Sequence, residues 1–208
     1  MSRIGDTRAK ILEVAEAEFA AEGYAGAHLQ KIAEQVGVRK TALYYYFDSK
    51  AVLYSAVLES ILDDLDRVVA NALETRETPE RQLEELVTSF NEMLAEKSNC
   101  ARILLRVFVD RPPGLTATLL PTLTRVIGRV MSCYRRGVDA GTFRRISTRH
   151  FFLSSFGLML FHYAAPAFSA TILGVEDIFT GPVVAWRRDE VLSLLRDGVL
   201  ARPDEAKS

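Results

Sequence analysis

The chain has 208 residues, with 26 Lys and Arg against 27 Asp and Glu, and a net charge of −1. This length allows one large domain or two small ones. The near-zero charge excludes a protein that binds polyanions over its whole surface, so any contact with nucleic acid must come from a local patch. The two cysteines, Cys100 and Cys133, lie far apart, and the first residues contain no apolar segment typical of a secretory signal. We therefore expect a reduced cytoplasmic protein without a metal site.

Helical periodicity runs through the chain and predicts an all-α protein with about nine helices. The first helix begins after residue 6 or 7 and ends at Gly23. The second has apolar residues at positions i, i+3, i+4 and i+7 and ends at Gly37, which suits the residue after a helix C-terminus. A short helix over 39–46 follows, and Ser49 can cap a long fourth helix.

The later helices are separated by proline, glycine and capping residues. Thr78 and Pro79 begin the fifth helix, and the sixth covers about 99–110, before a break at 111–114. The seventh closes at Gly141, and Thr148 can cap the eighth, which runs to about residue 165. A mixed connection leads to the last helix, which covers 182–200. The apolar run 151–165 is shorter than the ~20 residues that span a bilayer, and it predicts a helix buried on nearly all sides without membrane contact.

The second and third helices, joined by a tight turn at Gly37, have the helix-turn-helix pattern. A helical wheel places Leu43 and Phe47 towards the core, with Thr41, Ala42 and Tyr45 pointing away. A helix of ~12 Å fits the major groove. Hydroxyls and ammonium groups can donate to phosphates, and Lys50 lies in the first turn of the next helix. The pattern predicts DNA binding, although Tyr46, and Tyr44 as well, could equally be packing residues.

Residues 7–53 resemble the DNA-binding domain of the TetR family of transcriptional repressors. The resemblance rests on Ile11, Leu12, Ala15, Phe19, Gly23, Tyr24, Ile32, Ala33, Gly37, Val38, residues 43–47, Ser49, Lys50 and Leu53. It implies phosphate contacts by His28, Tyr45, Tyr46 and Lys50, and base or groove contacts by Gln30, Lys40, Thr41 and Ala42; Arg39 adds a phosphate donor, and Tyr44 borders the same surface.

Three positions depart from the family pattern. His28 stands where Ser or Thr usually caps the second helix, Arg39 stands where Ser usually precedes the third, and Thr41 replaces a small residue or proline. These departures leave the operator sequence open. Residues 1–53 also contain seven basic and seven acidic residues, so a positive face must arise by segregation of charge.

We expect a DNA-binding domain over 1–53 and a ligand-binding and dimerisation domain over 54–208, divided within the fourth helix. The resemblance implies a homodimer, a ligand pocket in the second domain and release from DNA when the ligand binds. A small, mainly apolar ligand would be lined by Phe90, Met93, Arg102, Arg106, Phe108, Tyr134, Phe152, Phe156 and Met159, with His150 and His162 as further polar groups. Each of these residues could instead be ordinary core. We expect no cofactor.

The dimer is predicted to form through the eighth and last helices, as the family resemblance implies. The eighth carries the small residues Ser154, Ser155 and Gly157, which permit close helix approach, and the last carries Val184, Val191, Leu192, Leu195 and Val199. A two-fold dimer would bind double-stranded DNA at a near-palindromic operator.

The sequence thus predicts a ligand-responsive transcriptional repressor. In a second hypothesis the protein binds DNA, but its second domain is a protein-interaction platform without a ligand. A small helical enzyme is a third hypothesis, which is disfavoured because the chain has no metal-ligand spacing, no Gly-rich phosphate loop and no strand-turn-helix context for a nucleophile. The presence of an internal cavity would separate the first hypothesis from the second.

Overall fold

The computed structural model describes residues 3–110 and 115–200, and these residues are almost entirely helical. The predicted break at 111–114 lies outside this range. The ten helices of the described residues are α1 (Arg3–Gly26), α2 (Leu29–Val36), α3 (Lys40–Tyr46), α4 (Lys50–Leu73), α5 (Pro79–Glu96), α6 (Ser98–Asp110), α7 (Leu115–Asp139), α8 (Thr148–Ala164), α9 (Pro166–Leu173) and α10 (Gly181–Val199). The predicted all-α fold is confirmed.

The N-terminal three helices form a small head whose core is completely buried. Ile11, Phe19, Ile32 and Leu43 have no exposed surface. Ser49 caps α4 by accepting a hydrogen bond from the Val52 amide at 3.2 Å. The predicted cap therefore forms and fixes where the chain turns from the recognition segment into α4.

The body is built around α4, which packs against α5 and α7, while α6 packs against both α1 and α8. Thr78 caps α5 as expected, by accepting from the Arg81 amide at 3.3 Å. Since α4 runs without interruption across residues 53 and 54, the head and the body share one helix. The division into domains 1–53 and 54–208 stays a prediction.

Three predicted helix boundaries differ from the structure. The segment after Pro166 is a helix, α9, and not a mixed connection, because a proline in the first turn can begin a helix as well as interrupt one. The chain after Gly23 continues in helical form to Gly26, although Gly23 itself, at φ 72° and ψ 177°, breaks the helical path. Ser147, and not Thr148, occupies the N-cap of α8, and its side chain makes no capping bond.

The prediction that the eighth helix is buried on nearly all sides is wrong. Leu153 is 67% exposed and Phe161 52% exposed, whereas Phe151 and Met159 on the opposite face are buried. An apolar sequence indicates that a face avoids water but not which chain covers it. Within the described residues no single helix is long and apolar enough to cross a membrane; α8 and α9 pass that test only together, and a 92° bend separates them.

Candidate nucleic-acid interface and internal cavity

The turn between α2 and α3 is closed by a hydrogen-bonded motif centred on Gly37. Gly37 adopts φ 83° and ψ 30°, a left-handed conformation that favours glycine. Its amide donates to the Glu34 carbonyl at 3.1 Å, and the Val38 amide donates to the Ala33 carbonyl at 2.9 Å. This pair of bonds is the Schellman arrangement. It ends α2 sharply and sets the direction in which α3 leaves.

Helix α3 is anchored on one face and open on the other. Leu43 and Phe47 are buried, at 0% and 2% exposure, as predicted. Tyr45 is 79% exposed and Tyr44 42% exposed. Lys40 and Thr41 are exposed and Ala42 is half-buried. The helix thus presents hydroxyl and ammonium groups on a rigid support.

Tyr46 occupies a position between these two faces. Its ring packs against the core, and it meets the Tyr45 ring edge-on with centroids 5.5 Å apart. Of the two interpretations left open by the sequence, packing describes the Tyr46 ring. The contact also orients the Tyr45 ring towards the outside.

Three other predicted DNA contacts lie outside α3, and two of them, Gln30 and Lys50, already use side-chain donors within the head. Gln30 donates from Nε2 to Glu34 Oε1 at 2.7 Å. Lys50 donates from Nζ to the Ala25 carbonyl at 3.1 Å and lies over the Tyr24 ring, and burial lowers the pKa of Lys50. His28 is exposed at the N-cap of α2, where its side chain makes no capping bond, as expected of a poorer cap.

Charge on the head is segregated. Glu18 is buried and holds the α1–α2 contact by accepting from Lys31 Nζ at 2.6 Å and from the His28 amide at 3.3 Å. Arg39 and Lys40, at the start of α3, form no ion pair among the described residues. A head with equal numbers of acidic and basic residues therefore presents positive charge where α3 begins.

A cavity of about 370 Å³ lies inside the body between α4, α5, α6, α7 and α8, with Leu195 of α10 at its edge. Its wall is almost entirely apolar. Among the described residues that line it, Ser155 carries the one polar side chain. The body is therefore not filled by its own side chains, as it would be if all of these residues were ordinary core.

Five of the nine residues predicted to contact a ligand line this cavity: Phe90, Phe108, Phe152, Phe156 and Met159. Phe156 is at the centre of the aromatic wall. Its ring stacks on those of Phe90 and Phe152, with centroids 6.1 and 5.7 Å away, and meets that of Phe108 edge-on at 5.9 Å. The spacing of aromatic residues on several helices was sufficient to find this wall.

The other four predicted residues do not line the cavity. Met93 is buried elsewhere in the core. Tyr134 stacks on Phe143 and Phe151 and donates to the Arg144 carbonyl at 2.6 Å, in a separate cluster. Arg102 and Arg106 line a groove on the outside of α6, towards α1. A helix has two sides, and the sequence does not show which side of α6 faces inwards.

Known proteins resemble this chain most clearly in the head. Residues 11–57 match the family described as bacterial regulatory proteins, tetR family, which is the segment whose helix-turn-helix geometry is described above. The resemblance of the head to the DNA-binding segment of that family is therefore confirmed for these residues.

Curated tetR-family relatives match over the head and part of the body. The transcriptional activator FasR of Mycolicibacterium smegmatis is 33% identical over 99 residues, covering 48% of this chain and 45% of FasR. The transcriptional regulator RutR of Escherichia coli is 53% identical over 53 residues, 26% of this chain and 25% of RutR. The repressor SCO4008 of Streptomyces coelicolor is 42% identical over 59 residues, 28% of this chain and 31% of SCO4008. The matches thus span less than half the length of each relative. All three relatives are named as transcription regulators.

Solved tetR-family structures share the fold over nearly the whole chain. A tetR-family regulatory protein from Rhodococcus RHA1 superposes with a TM-score of 0.76 at 19% identity, covering 97% of this chain and 100% of that one. The ketosteroid regulator KstR2 of Mycobacterium tuberculosis gives 0.73 at 18% identity, covering 94% and 95%. The arrangement of a helix-turn-helix head on a larger helical body is therefore shared at a sequence identity below 20%.

The tetR-family head is joined to the body at a contact that sequence reasoning missed. Arg106 of α6 donates from Nη2 to the Ala21 carbonyl at 2.8 Å, immediately before the break in α1 at Gly23. A Cβ on Gly23 would lie 2.7 Å from Arg106 Nη1. The same helix also reaches the cavity, whose wall includes Leu104, Leu105 and Phe108. The glycine was a visible signal, but its partner is 83 residues further along the chain.

Proposed function

We propose that the protein is a DNA-binding transcription regulator in which α3 enters the major groove. One observation carries the proposal: within the tetR-family segment, α3 is fixed by buried Leu43 and Phe47 and presents Lys40, Thr41 and Tyr45 to solvent. Short polar helices that rest on a buried anchor are suited to the groove, because their side chains reach base edges while the backbone stays rigid.

The exposed groups of α3 fall into two sets, according to the part of the DNA that each would contact. Lys40, Thr41 and Ala42, in the first turn of α3, would contact base edges, as recognition helices do through their N-terminal residues. Arg39, Tyr44 and Tyr45 would donate to phosphates on either side, and Tyr46, whose ring packs against the core, would reach a phosphate through its hydroxyl alone. Around them, His28 and Gln30 extend the surface along α2, and Lys50 keeps two of its three N–H donors for phosphate after contacting Ala25.

Selection from a random DNA library followed by binding measurements tests this assignment. We expect a near-palindromic site to be enriched. Lys40→Gln and Tyr45→Phe should each weaken binding to that site by about tenfold, as loss of a base or phosphate contact does, and Lys40→Gln should also lower the salt dependence. Arg145→Gln, an exposed arginine of the body, is the matched control and should bind normally. Enrichment of no sequence, or equal binding by all three variants, would refute the assignment.

We further propose a homodimer that forms through α8 and α10. The exposed face of α8 carries Leu153 and Phe161 with Gly157 between them, and Leu153 and Gly157 also border the cavity where it meets this face. Helix α10 carries Trp186 and Leu194, which are 45% and 57% exposed. Residues of α10 that the sequence assigned to the interface face inwards instead: Val191 and Val199 are buried, and Leu195 lines the cavity. An apolar surface on two adjacent helices is suited to a second copy about a two-fold axis.

A small apolar ligand in the cavity would regulate the protein. The wall offers dispersion and hydrophobic contacts with little hydrogen bonding, so the ligand would be mainly apolar. Occupation would press on Leu104 and Phe108, and α6 would pass the displacement to α1 through Arg106. A shift of the two heads relative to each other changes the spacing of their recognition helices, and DNA is released. The relatives include a named activator, FasR, and a named repressor, SCO4008. For this protein we propose repression.

A substitution that fills the cavity tests whether a ligand binds there. Ser155→Trp places an indole in the cavity, whereas Ser60→Trp places the same side chain on the exposed face of α4. A thermal-shift screen of small apolar compounds should find ligands that stabilise wild-type protein and Ser60→Trp, leave Ser155→Trp unchanged and release DNA. If no compound behaves in this way while the DNA assignment holds, the body is an interaction platform.

A further inference from the structure

A second concave site lies on the body, outside the cavity. It is a groove of about 420 Å³ where α8 bends into α9, and its floor includes Arg187 of α10. The sides are largely apolar, with Phe161, Phe168 and Ile172 exposed by 52%, 56% and 68%. The groove shares one residue, Gly157, with the wall of the cavity.

Arg187 carries a positive charge that forms no ion pair with the described residues, although the charge of Glu190 acts on it from a distance. Its Nη2 donates to the Leu158 carbonyl at 2.6 Å, but its Nε is buried and has no hydrogen-bond partner among the described residues. No carboxylate among the described residues lies within ion-pair distance of it, and burial lowers the pKa of Arg187. A partly desolvated guanidinium is costly without a counter-ion, and it is the side chain best suited to bind a planar carboxylate.

His162 adds a second unsatisfied polar group to the same floor. The residue is only 6% exposed, and its Nε2 has no hydrogen-bond partner among the described residues. Ser169, the other polar residue of the groove, uses its hydroxyl to donate to the His162 carbonyl at 2.9 Å. Buried polar groups without partners are uncommon, and two at the floor of one groove mark a place for a ligand.

We propose that this groove binds a small monocarboxylate with an apolar body. The carboxylate pairs with the Arg187 guanidinium beside His162, and the apolar body lies on Phe161, Phe168 and Ile172. A single cation matches one negative charge better than a phosphate dianion, and the aromatic sides exclude a strongly hydrated ligand. The site is separate from the DNA-binding surface, it touches the cavity wall at Gly157, and it shares Phe161 with the proposed dimer face.

Isothermal titration of the full chain with 4-phenylbutyrate tests the site, with neutral 4-phenylbutanol as the matched ligand. We expect the acid to bind at least about tenfold more tightly than the alcohol, because the charged hydrogen bond is lost with the alcohol. Arg187→Gln should weaken binding of the acid by about tenfold or more. Arg188→Gln, the neighbouring arginine that pairs with Asp189, and the cavity variant Ser155→Trp should bind it normally.

A second variant keeps the test decisive if Arg187→Gln does not fold. Phe168→Glu places a negative charge on an exposed side of the groove and should abolish binding of the acid. Equal binding by wild type and both groove variants would overturn the proposal, and so would loss of binding in Ser155→Trp, which would place the acid in the cavity. Absence of binding together with dissociation of the dimer by Arg187→Gln would assign the counter-ion to an acidic residue of the second copy instead.

Discussion

The buried imidazole of His162 gives the fold a pH dependence whose size follows from the structure. Burial, and secondarily the positive charge of Arg187, lowers the pKa of His162 from 6.5 to about 4. The ring also meets Tyr163 edge-on, with centroids 4.7 Å apart, and no carboxylate among the described residues pairs with it. In the folded protein, His162 is therefore neutral down to about pH 4.

The direction in which stability changes with pH follows from proton binding in the two states. Between about pH 6.5 and pH 4 the unfolded chain binds a proton at His162 that the folded chain does not. The free energy of unfolding therefore falls as the pH is lowered through this window, and the contribution of His162 is constant outside it. The difference between the two pKa values corresponds to a loss of about 3 kcal/mol.

Urea denaturation of the wild type and of His162→Gln, at pH 7, 6, 5 and 4 and constant ionic strength, isolates this contribution. Other titrating groups affect both proteins, so they cancel in the difference. Wild type should lose about 3 kcal/mol more than the variant between pH 7 and pH 4. His150→Gln, which replaces an exposed histidine of α8, should follow wild type. Parallel pH profiles for wild type and His162→Gln would refute the argument that burial holds this ring neutral.

Three further predictions concern the dimer, the turn and the junction. Leu194→Glu should shift the protein to monomers in sedimentation velocity, whereas Val109→Glu, on α6 and more exposed at 71% against 57%, should not; a stable Leu194→Glu dimer would exclude this face. Gly37→Ala should destabilise the protein by about 1 to 2 kcal/mol in chemical denaturation because of its left-handed backbone, and Gly37→Asn by less. Arg106→Ala should raise amide exchange in residues 21–27 by a few-fold, as expected for a lost exposed hydrogen bond; equal protection in Arg106→Ala and in the control Arg102→Ala would remove Arg106 from the coupling.

The head was predictable because its signals are local. Gly37 ends a helix wherever it occurs in this pattern, and the spacing of Leu43 and Phe47 fixes which face of α3 is buried. Both the turn and the anchored face were confirmed. Lys50 was less predictable. Its position in the first turn of α4 indicated a phosphate contact, yet its ammonium also donates a hydrogen bond to the carbonyl of Ala25, which lies 25 positions earlier in the chain.

The body was predictable only in part, because packing there depends on partners distant in sequence. Aromatic residues on α5, α6 and α8 correctly indicated a wall, and Phe156 lies at its centre. The same reasoning placed Tyr134 in the wall, although it stacks in another cluster. Helical periodicity predicts that an apolar residue is buried, but it does not predict which other helix covers that residue.

By itself the sequence determined the helix-turn-helix head, the all-α class and the surface that α3 presents, since each follows from neighbours within one or two helical turns. Only the tertiary structure decided that the body contains a cavity, that Arg106 meets the break in α1 and that Arg187 lies in an apolar groove without an ion-pair partner among the described residues. Those features depend on which faces of distant helices meet. That choice is made by packing the whole chain and is not encoded in any single segment.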